Sequence, residues 1–557
     1  MRRLLIANRG EIAVRVARGA RALGIVPLGV YSDADARALH VKAMDDALRI
    51  GPAPAAQSYL DVDAILAAAR ALDADAVHPG YGFLSERADF ARAVLDAGLI
   101  FVGPPPSALA AMGDKKEAKH RARAHDVPVV PGYDEDDGSD ERLAREARAI
   151  GTPVLIKASA GGGGRGMRVV RDFFEFDDAL ASARREALAA FGSDAMLLER
   201  YLERPRHIEF QVLADEYGHT IHLGERECSI QRRHQKVIEE APSTALDPAL
   251  RERMGAAAVR AARAVGYANA GTAEFLLDES GDFYFLEMNA RLQVEHPVTE
   301  LAHGIDLVAW QLRIANGEPL TLEQADVCAR AWAIEARVNA EDPAHDYRPE
   351  IGTITAYEEP TGEGIRVDSG VGAGSEIGVY YDSMLAKLIA CGDDRESARL
   401  RLARALDAFR IDGLATNLPL LRKIARDDVF ARGETTTWFL TDRADALDLG
   451  DGGAPDDALS LAFAALALDA SAFRIGGVGI PLALETGSRV ARIVASRVDV
   501  STWRFEGDVA HACALVEHSP PHIALVVNER RIAGRVTRTD NDVDVEHGGA
   551  RYRLRLA

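Results

Sequence analysis

Val154-Leu155-Ile156-Lys157-Ala158-Ser159-Ala160-Gly161-Gly162-Gly163-Gly164-Arg165-Gly166-Met167 is the stretch from which the fold is read. An apolar run delivers a lysine, a string of glycines follows, and a second apolar run begins at Met167. The pattern predicts two short strands joined by a glycine loop. Without a Cβ, a glycine lets backbone N–H groups come close to phosphate oxygens and lets the loop move. The Gly-Lys-Ser/Thr ending of a Walker loop is absent. A flexible linker is the competing reading, but a linker has little use inside a hairpin of two apolar strands. The hairpin sits in a compact segment from about Pro131 to Glu203.

Toward the N-terminus the chain alternates strands and helices. Leu4 to Ala7 reads as a strand, Glu11 to Leu23 as a helix, Val26 to Tyr31 as a strand, Asp61 to Ala71 as a helix and Ala76-Val77-His78 as a strand. This βαβ order implies a parallel, doubly wound sheet. Asn8-Arg9-Gly10 stands where a dinucleotide fingerprint would, but with a single glycine, which excludes NAD. After Pro104-Pro105-Pro106 a helical stretch runs from Ala108 to His125.

Toward the C-terminus, Thr272 to Leu277 and Phe283 to Met288 flank Asp278-Glu279-Ser280-Gly281, the spacing of a hairpin. A turn centred between Glu279 and Ser280 sets Glu274 opposite Phe285. Glu287 and Asn289 then share the face of Glu274, because side chains alternate with period two. Two carboxylates diagonally adjacent on an apolar hairpin would repel, and a hard divalent cation removes the conflict. Arg291, Gln293 and Glu295 keep the parity of Asn289. An arginine can hold a small planar oxyanion and a neighbouring carboxylate can take its proton; a charged edge strand is the plainer alternative. Cys228-Ser229-Ile230-Gln231-Arg232-Arg233-His234-Gln235-Lys236 is rich in donors and reads either as an anion site or as a solvated loop.

With 557 residues the chain is long enough for three or four domains, and 48% apolar with 27% charged residues is an ordinary globular balance. The net charge of -20 argues against nucleic acid or an anionic membrane as partner. Cys228, Cys328, Cys391 and Cys513 are scattered without metal spacing, as expected for reduced structural thiols. No apolar run has signal-peptide or membrane-spanning length, so the expected compartment is the cytoplasm.

Taken together these segments resemble the biotin carboxylase family of ATP-grasp enzymes over about residues 1 to 440. The motifs that carry the resemblance are Ala7-Asn8-Arg9-Gly10-Glu11-Ile12, His78-Pro79-Gly80-Tyr81-Gly82-Phe83-Leu84-Ser85-Glu86, Met112-Gly113-Asp114-Lys115, the Lys157 glycine loop, Gln231 to Lys236, Phe285-Leu286-Glu287-Met288-Asn289, Gln293-Val294-Glu295-His296-Pro297 and Arg337-Val338-Asn339-Ala340-Glu341-Asp342-Pro343. The resemblance implies an ATP-grasp fold with an N-terminal Rossmann-like domain and a mobile glycine-rich lid. It implies ATP, Mg²⁺ or Mn²⁺, bicarbonate and carrier-borne biotin as reactants and cofactors. Lys115 and Lys157 match the phosphate lysines, and Gly161, Gly162, Gly163, Gly164 and Gly166 the lid. Glu199, Leu202, Gln231, His234 and Leu276 match the adenine site, with His207 near ribose or phosphates. Glu274 and Glu287, with Asn289 beside them, match the metal site. Lys236, Arg291, Gln293 and the backbone of Val294 match the bicarbonate cradle, Glu295 the general base, Arg337 the residue that stabilises the biotin enolate, and Tyr81 the biotin pocket. Ala160 and Arg200 depart from common family residues at positions where little effect is expected.

Expected domains are 1–113 (Rossmann-like), 114–203 (linker helix and lid), 204–445 (the rest of the ATP-grasp and the C-terminal domain) and a β-rich tail, 446–557. The tail opens on a Gly/Asp-rich stretch from Leu449 to Pro455 and a short helix from Leu461 to Leu468. Alternating segments at Arg489–Ala495, His522–Val527, Asp542–Glu546 and Arg551–Leu556 then predict a small antiparallel barrel or sandwich. The pattern resembles the domain by which acyl-CoA carboxylase α-subunits dock onto their carboxyltransferase; the alternative is a stabilising extension. No Ala-Met-Lys-Met occurs and no lysine follows Lys423. The expected partners are therefore a biotin carrier supplied in trans or from beyond residue 557, the β-subunit of a carboxyltransferase and further copies in an oligomer.

Overall fold

The computed structural model describes residues 1–557 except 114, 136, 160–165, 448–453, 472–478, 487–488 and 548–549. The N-terminal βαβ expectation holds. Arg3–Ile6, Val26–Ser32, Asp46–Gly51, Ala76–His78 and Ile100–Phe101 form a parallel five-stranded sheet, with Leu4 paired to Ala76 and Leu5 to Leu28. Helix Gly10–Ala22 packs one apolar stripe against it, burying Ile12, Ala13, Val16 and Ala20. Helix Val62–Ala71 starts where Asp61 accepts the N–H of Ala64 at 3.0 Å, an N-cap that satisfies an otherwise orphaned donor. Over the helical stretch expected from Ala108 to His125, the described residues are helical at Pro106–Gly113 and Lys115–Ala124.

The glycine-loop hairpin is also present. Val154–Ala158 pairs antiparallel with Met167–Val170 on one side and Met196–Arg200 on the other, in a four-stranded sheet backed by helices Asp140–Ile150 and Phe176–Phe191. Val154, Ile156 and Ala158 are buried in its core, so the alternation turns Leu155 and Lys157 to the opposite face. Gly161 to Gly164 lie outside the described residues.

An eight-stranded sheet forms the centre, in the order Phe283–Asn289, Asn269–Leu277, Arg206–Ala214, Thr220–Arg232, Gln235–Ala241, Trp332–Asn339, Met384–Gly392 and Ile365–Ser369. Its strand from Arg206 to Ala214 contributes Ile208, Phe210 and Val212 to a core shared with helix Pro248–Arg263 and the N-terminal unit. The alternate residues, Glu209 and Gln211, face the other side.

The tail is a closed eight-stranded antiparallel barrel between Ile480 and Leu556. The four predicted strands are there, His522–Val527 with its expected bounds and the other three longer by one or two residues, and four further strands complete the barrel. The helix is longer than expected, Asp456–Ser471, and is apolar all round because strands of the barrel contact it from several sides. Most of the Gly/Asp-rich stretch before it lies outside the described residues. Among the described residues no helix is long and apolar enough to cross a membrane.

Candidate active site

The hairpin at the edge of the central sheet differs from expectation in an instructive way. Leu277 pairs with Phe283, so the turn is centred on Ser280, and Phe275, not Glu274, faces Phe285. One register step later Glu274 faces Glu287 directly. Leu286 is the extra residue of a β-bulge, and the bulge rotates Glu287 onto the face of Glu274. The two carboxylates are thus opposite, not diagonal. The pairing continues inward from Glu274 to Glu209 and from Glu209 to Arg226. Four neighbouring strands set three carboxylates and a guanidinium in one row.

A second correction concerns the segment after Asn289. The strand ends there, and Arg291 to Glu295 form a loop that turns into helix His296–His303. Parity is not what gathers these side chains; hydrogen bonds do. Arg291 donates to Asn289 Oδ1 at 3.1 Å and to Gln293 Oε1 at 2.8 Å, and Gln293 donates to Glu274 Oε1 at 3.3 Å. Glu86 fixes the start of the loop by accepting the N–H of Ala290 at 3.1 Å and pairing with Arg291 at 3.2 Å.

Three cations hold the buried carboxylates. Lys236 is placed by the tight Arg233-His234 turn, both residues at positive φ, and donates to Glu209, to Glu274 at 2.9 Å and to Glu295 at 2.6 Å. All three of its ammonium protons are used. Arg226, fully buried, bonds Glu209, Gln211 at 2.8 Å, Thr299 at 2.9 Å and Thr272 at 3.0 Å. Arg337 joins Glu239 at 2.6 Å to Glu295 at 2.9 Å. Burial works against ionisation of Glu295, yet Lys236, Arg337 and Arg226 outweigh it and hold its carboxyl well below the usual range. Glu274 is likewise held low against burial by Lys236 and His207, the latter 3.2 Å away. Glu239 goes the other way: burial lifts it to about 7 in spite of Arg337. Glu335, on the strand beside it, is also raised, first by burial.

Glu287, Glu274 and Asn289 offer a hard cation two carboxylates and an amide oxygen on one wall of the cavity, a donor set that fits Mg²⁺ with room for phosphate oxygens. The neighbouring groupings His207-Glu209-Glu274 and Glu209-Cys228-Glu295 are close enough to chelate, but Lys236 or Arg226 already supplies positive charge to both.

One cavity of about 1540 Å³ brings the expected residues together. Its lining includes Glu199, Leu202, His207, Gln231, His234 and Leu276 under the small sheet, Arg291, Gln293, Val294 and Glu295 at the floor, and Tyr81 and Arg337 beyond. Lys157 reaches its roof and bonds Glu199 at 2.9 Å. The Glu199 carboxylate also pairs with Lys119. The Lys115 side chain lies outside the described residues; Lys119 is one turn further along the same helix. Sequence reasoning assigned no role to Lys119, Glu209, Arg226, Glu239 or Lys387. Only Lys387 carries a local signal, a charge inside the otherwise apolar strand Met384–Gly392; the others stand among further polar residues and read as solvent-facing positions. Lys387, fully buried, donates to the Val294 carbonyl at 2.9 Å and pairs with Glu11 at 3.1 Å.

Comparison with known proteins agrees with this geometry. Family profiles described as "Biotin carboxylase, N-terminal domain", "Carbamoyl-phosphate synthase L chain, ATP binding domain" and "Biotin carboxylase C-terminal domain" match residues 1–109, 114–323 and 335–442. A biotin carboxylase from Nostoc sp. is 52% identical over 438 residues, 79% of this chain and 98% of that one. A pyruvate carboxylase subunit from Methanothermobacter thermautotrophicus is 51% identical over 80% of this chain and 91% of its own. The human mitochondrial propionyl-CoA carboxylase alpha chain is 50% identical over 79% of this chain, which spans 61% of that relative's length. Among solved structures, the biotin carboxylase domain dimer of Hydrogenobacter thermophilus 2-oxoglutarate carboxylase, in complex with MgADP, ADP and bicarbonate, superposes with a TM-score of 0.76 at 47% identity, covering 80% of this chain and 98% of its own.

Proposed function

The chain belongs to the biotin carboxylase family, and from that premise we propose that it carboxylates carrier-borne biotin as the first half-reaction of an acyl-CoA carboxylase. Biotin carboxylases use ATP, Mg²⁺, bicarbonate and biotin. The observation that carries the residue roles is the ionised Glu295 clamped between Lys236 and Arg337 at the cavity floor.

Arg291, Gln293, Lys236 and the Val294 backbone hold bicarbonate beside Glu295. As the substrate takes over the Lys236 hydrogen bond, Glu295 loses a cation, regains basicity and removes the bicarbonate proton. The freed oxygen attacks the γ-phosphorus of ATP; the bond to the bridging oxygen breaks, leaving ADP and carboxyphosphate. Lys157 and its neighbours neutralise charge on the phosphoryl oxygens. Mg²⁺, when bound to Glu274 and Glu287, adds a Lewis acid at the phosphates. Carboxyphosphate then releases CO₂ and phosphate. The phosphate takes the ureido N–H proton of biotin, Arg337 steadies the enolate oxygen, and the nitrogen attacks CO₂. Keeping water out of the cavity protects the intermediate, which water would hydrolyse.

The acyl-CoA assignment is supported by the barrel and buried helix from Asp456 onward, which resemble the carboxyltransferase-docking domain of acyl-CoA carboxylase α-subunits. The similarity to a pyruvate carboxylase component favours a second reading, a part of a 2-oxo-acid carboxylase. Co-purification with mass spectrometry of the bound carboxyltransferase separates the two. For the chemistry, Glu295→Gln is expected to lower bicarbonate-dependent ADP release about 10²–10⁴-fold while ATP binding by calorimetry persists. Full activity in that variant refutes the base.

A further inference from the structure

The biotin of this reaction arrives on a protein, and the rim of the cavity carries one apolar patch suited to receive it. Val379 is 74% exposed, Ile351 60% and Tyr380 52%. They are neighbours: Gly352 pairs antiparallel with Ile377, which brings Ile351 alongside the Gly378-Val379 end of the opposing strand. Large aliphatic side chains this exposed and this close together are unusual on a chain with 27% charged residues, and such clusters mark interaction sites.

The position of the patch decides its occupant. Tyr380, Tyr381 and Asp382 line the cavity directly after Val379. Tyr381 meets Phe83 edge to face with ring centres 6.3 Å apart, and the Arg9 guanidinium lies 4.2 Å over the Tyr381 ring. Phe83 follows Tyr81 by two residues, so the patch continues into the end of the cavity that holds Tyr81 and Arg337. The adenine-side residues lie under the small sheet instead. The patch is also held firmly. Tyr381 donates to the Ala53 carbonyl at 2.6 Å, and Arg37 pairs with Glu376 at 2.6 Å, tying the hairpin to the N-terminal unit.

Biotin is joined to its carrier through a lysine side chain and a valeryl chain only. When the ureido nitrogen is at Arg337, the carrier surface must therefore rest on the rim at this end of the cavity. We infer that Ile351 and Val379, with the exposed edge of Tyr380, form the seat of the biotinylated carrier domain. This rests on the function proposed above. The recognition is apolar and complementary to an exposed aliphatic or aromatic side chain on the carrier near its biotinyl-lysine.

The test uses the full chain, ATP, bicarbonate and two biotin sources: free biotin, and a purified biotinylated carrier domain from a related biotin-dependent carboxylase. Neither Ile351 nor Val379 lines the cavity, so Val379→Asp and Ile351→Asp are expected to leave free-biotin carboxylation unchanged. With the carrier, kcat/KM is expected to fall at least tenfold, through KM. The milder Val379→Ser is expected to fall in between. Unchanged kcat/KM with the carrier overturns the inference. An equal loss with both biotin sources overturns it too, by assigning the residues to the fold. A change in sedimentation coefficient, with carrier kinetics intact, would make the patch a contact between copies and likewise overturn it. Wild-type chain that fails with free biotin refutes the proposed function itself, a distinct outcome.

Discussion

The central sheet and the C-terminal barrel are each built of eight strands, and their interiors are filled in opposite ways. The sheet buries Glu209, Arg226, Glu239, Glu335 and Lys387 completely. The barrel is filled by Trp503, Phe505, Leu525, Val543 and Leu554 around Phe463 and Leu459 of its helix, and its buried polar residues among those described are Ser460 and Thr486. Burying a charge costs several kcal/mol even when it is paired, and apolar replacements of similar volume are often more stable. The sheet therefore carries its ions for chemistry, whereas the barrel interior serves stability alone and any function it has lies on its outer surface.

Breaking each interior separates the two. Lys236→Met removes the cation shared by Glu209, Glu274 and Glu295. It is expected to lower free-biotin carboxylation about 10²–10³-fold and to destabilise the chain by about 3–5 kcal/mol, because the carboxylates are left buried together. Activity assays with urea denaturation check both. Phe463→Ala opens a void in the barrel and is expected to destabilise by a similar ~3–5 kcal/mol, with free-biotin carboxylation unchanged. A large loss of activity there would join the two regions and spoil the contrast.

A smaller effect sharpens it. Burial raises Glu239 to about 7, so from the ordinary carboxyl range up to that value the folded chain holds a proton that the unfolded chain has released. The stability this group contributes is present below the ordinary carboxyl pKa and is lost as pH rises toward 7. Glu239→Gln is expected to flatten that decline, read from urea midpoints across the window. Glu274 and Glu295 act in the opposite sense, adding stability above the ordinary carboxyl pKa that is lost as acid protonates them.

Much of this is legible in the sequence. The Lys157 hairpin, the parallel N-terminal sheet and the strands of the tail follow from apolar periodicity and glycine placement. Alternation also puts Glu274 and Glu287 on one face, where they are, but for the wrong reason. A straight hairpin with the observed turn would set Glu287 opposite Ala273 on the far side, and only the bulge at Leu286 brings it round. A bulge is a single-residue slip with no fixed composition, so periodicity does not reveal it. Arg291 to Glu295 read as a strand because their polar residues alternate, whereas Glu86 and Lys387, distant in sequence, anchor them as a loop. Charges such as Glu209 and Arg226 resemble solvent-facing positions of half-buried strands until the second face of the sheet is seen to be covered. Barrel closure depends on Leu484 meeting Leu556 across the whole tail, a pairing no local pattern encodes.

The most direct test of the account is the fate of oxygen. With bicarbonate labelled with ¹⁸O, ATP, Mg²⁺ and free biotin, bicarbonate attack on the γ-phosphorus leaves one labelled oxygen in each inorganic phosphate formed, measured by mass spectrometry during turnover. Phosphate carrying only oxygen from ATP and solvent water would show that the row of carboxylates around Lys236 does not activate bicarbonate, and would contradict the assignment of Glu295.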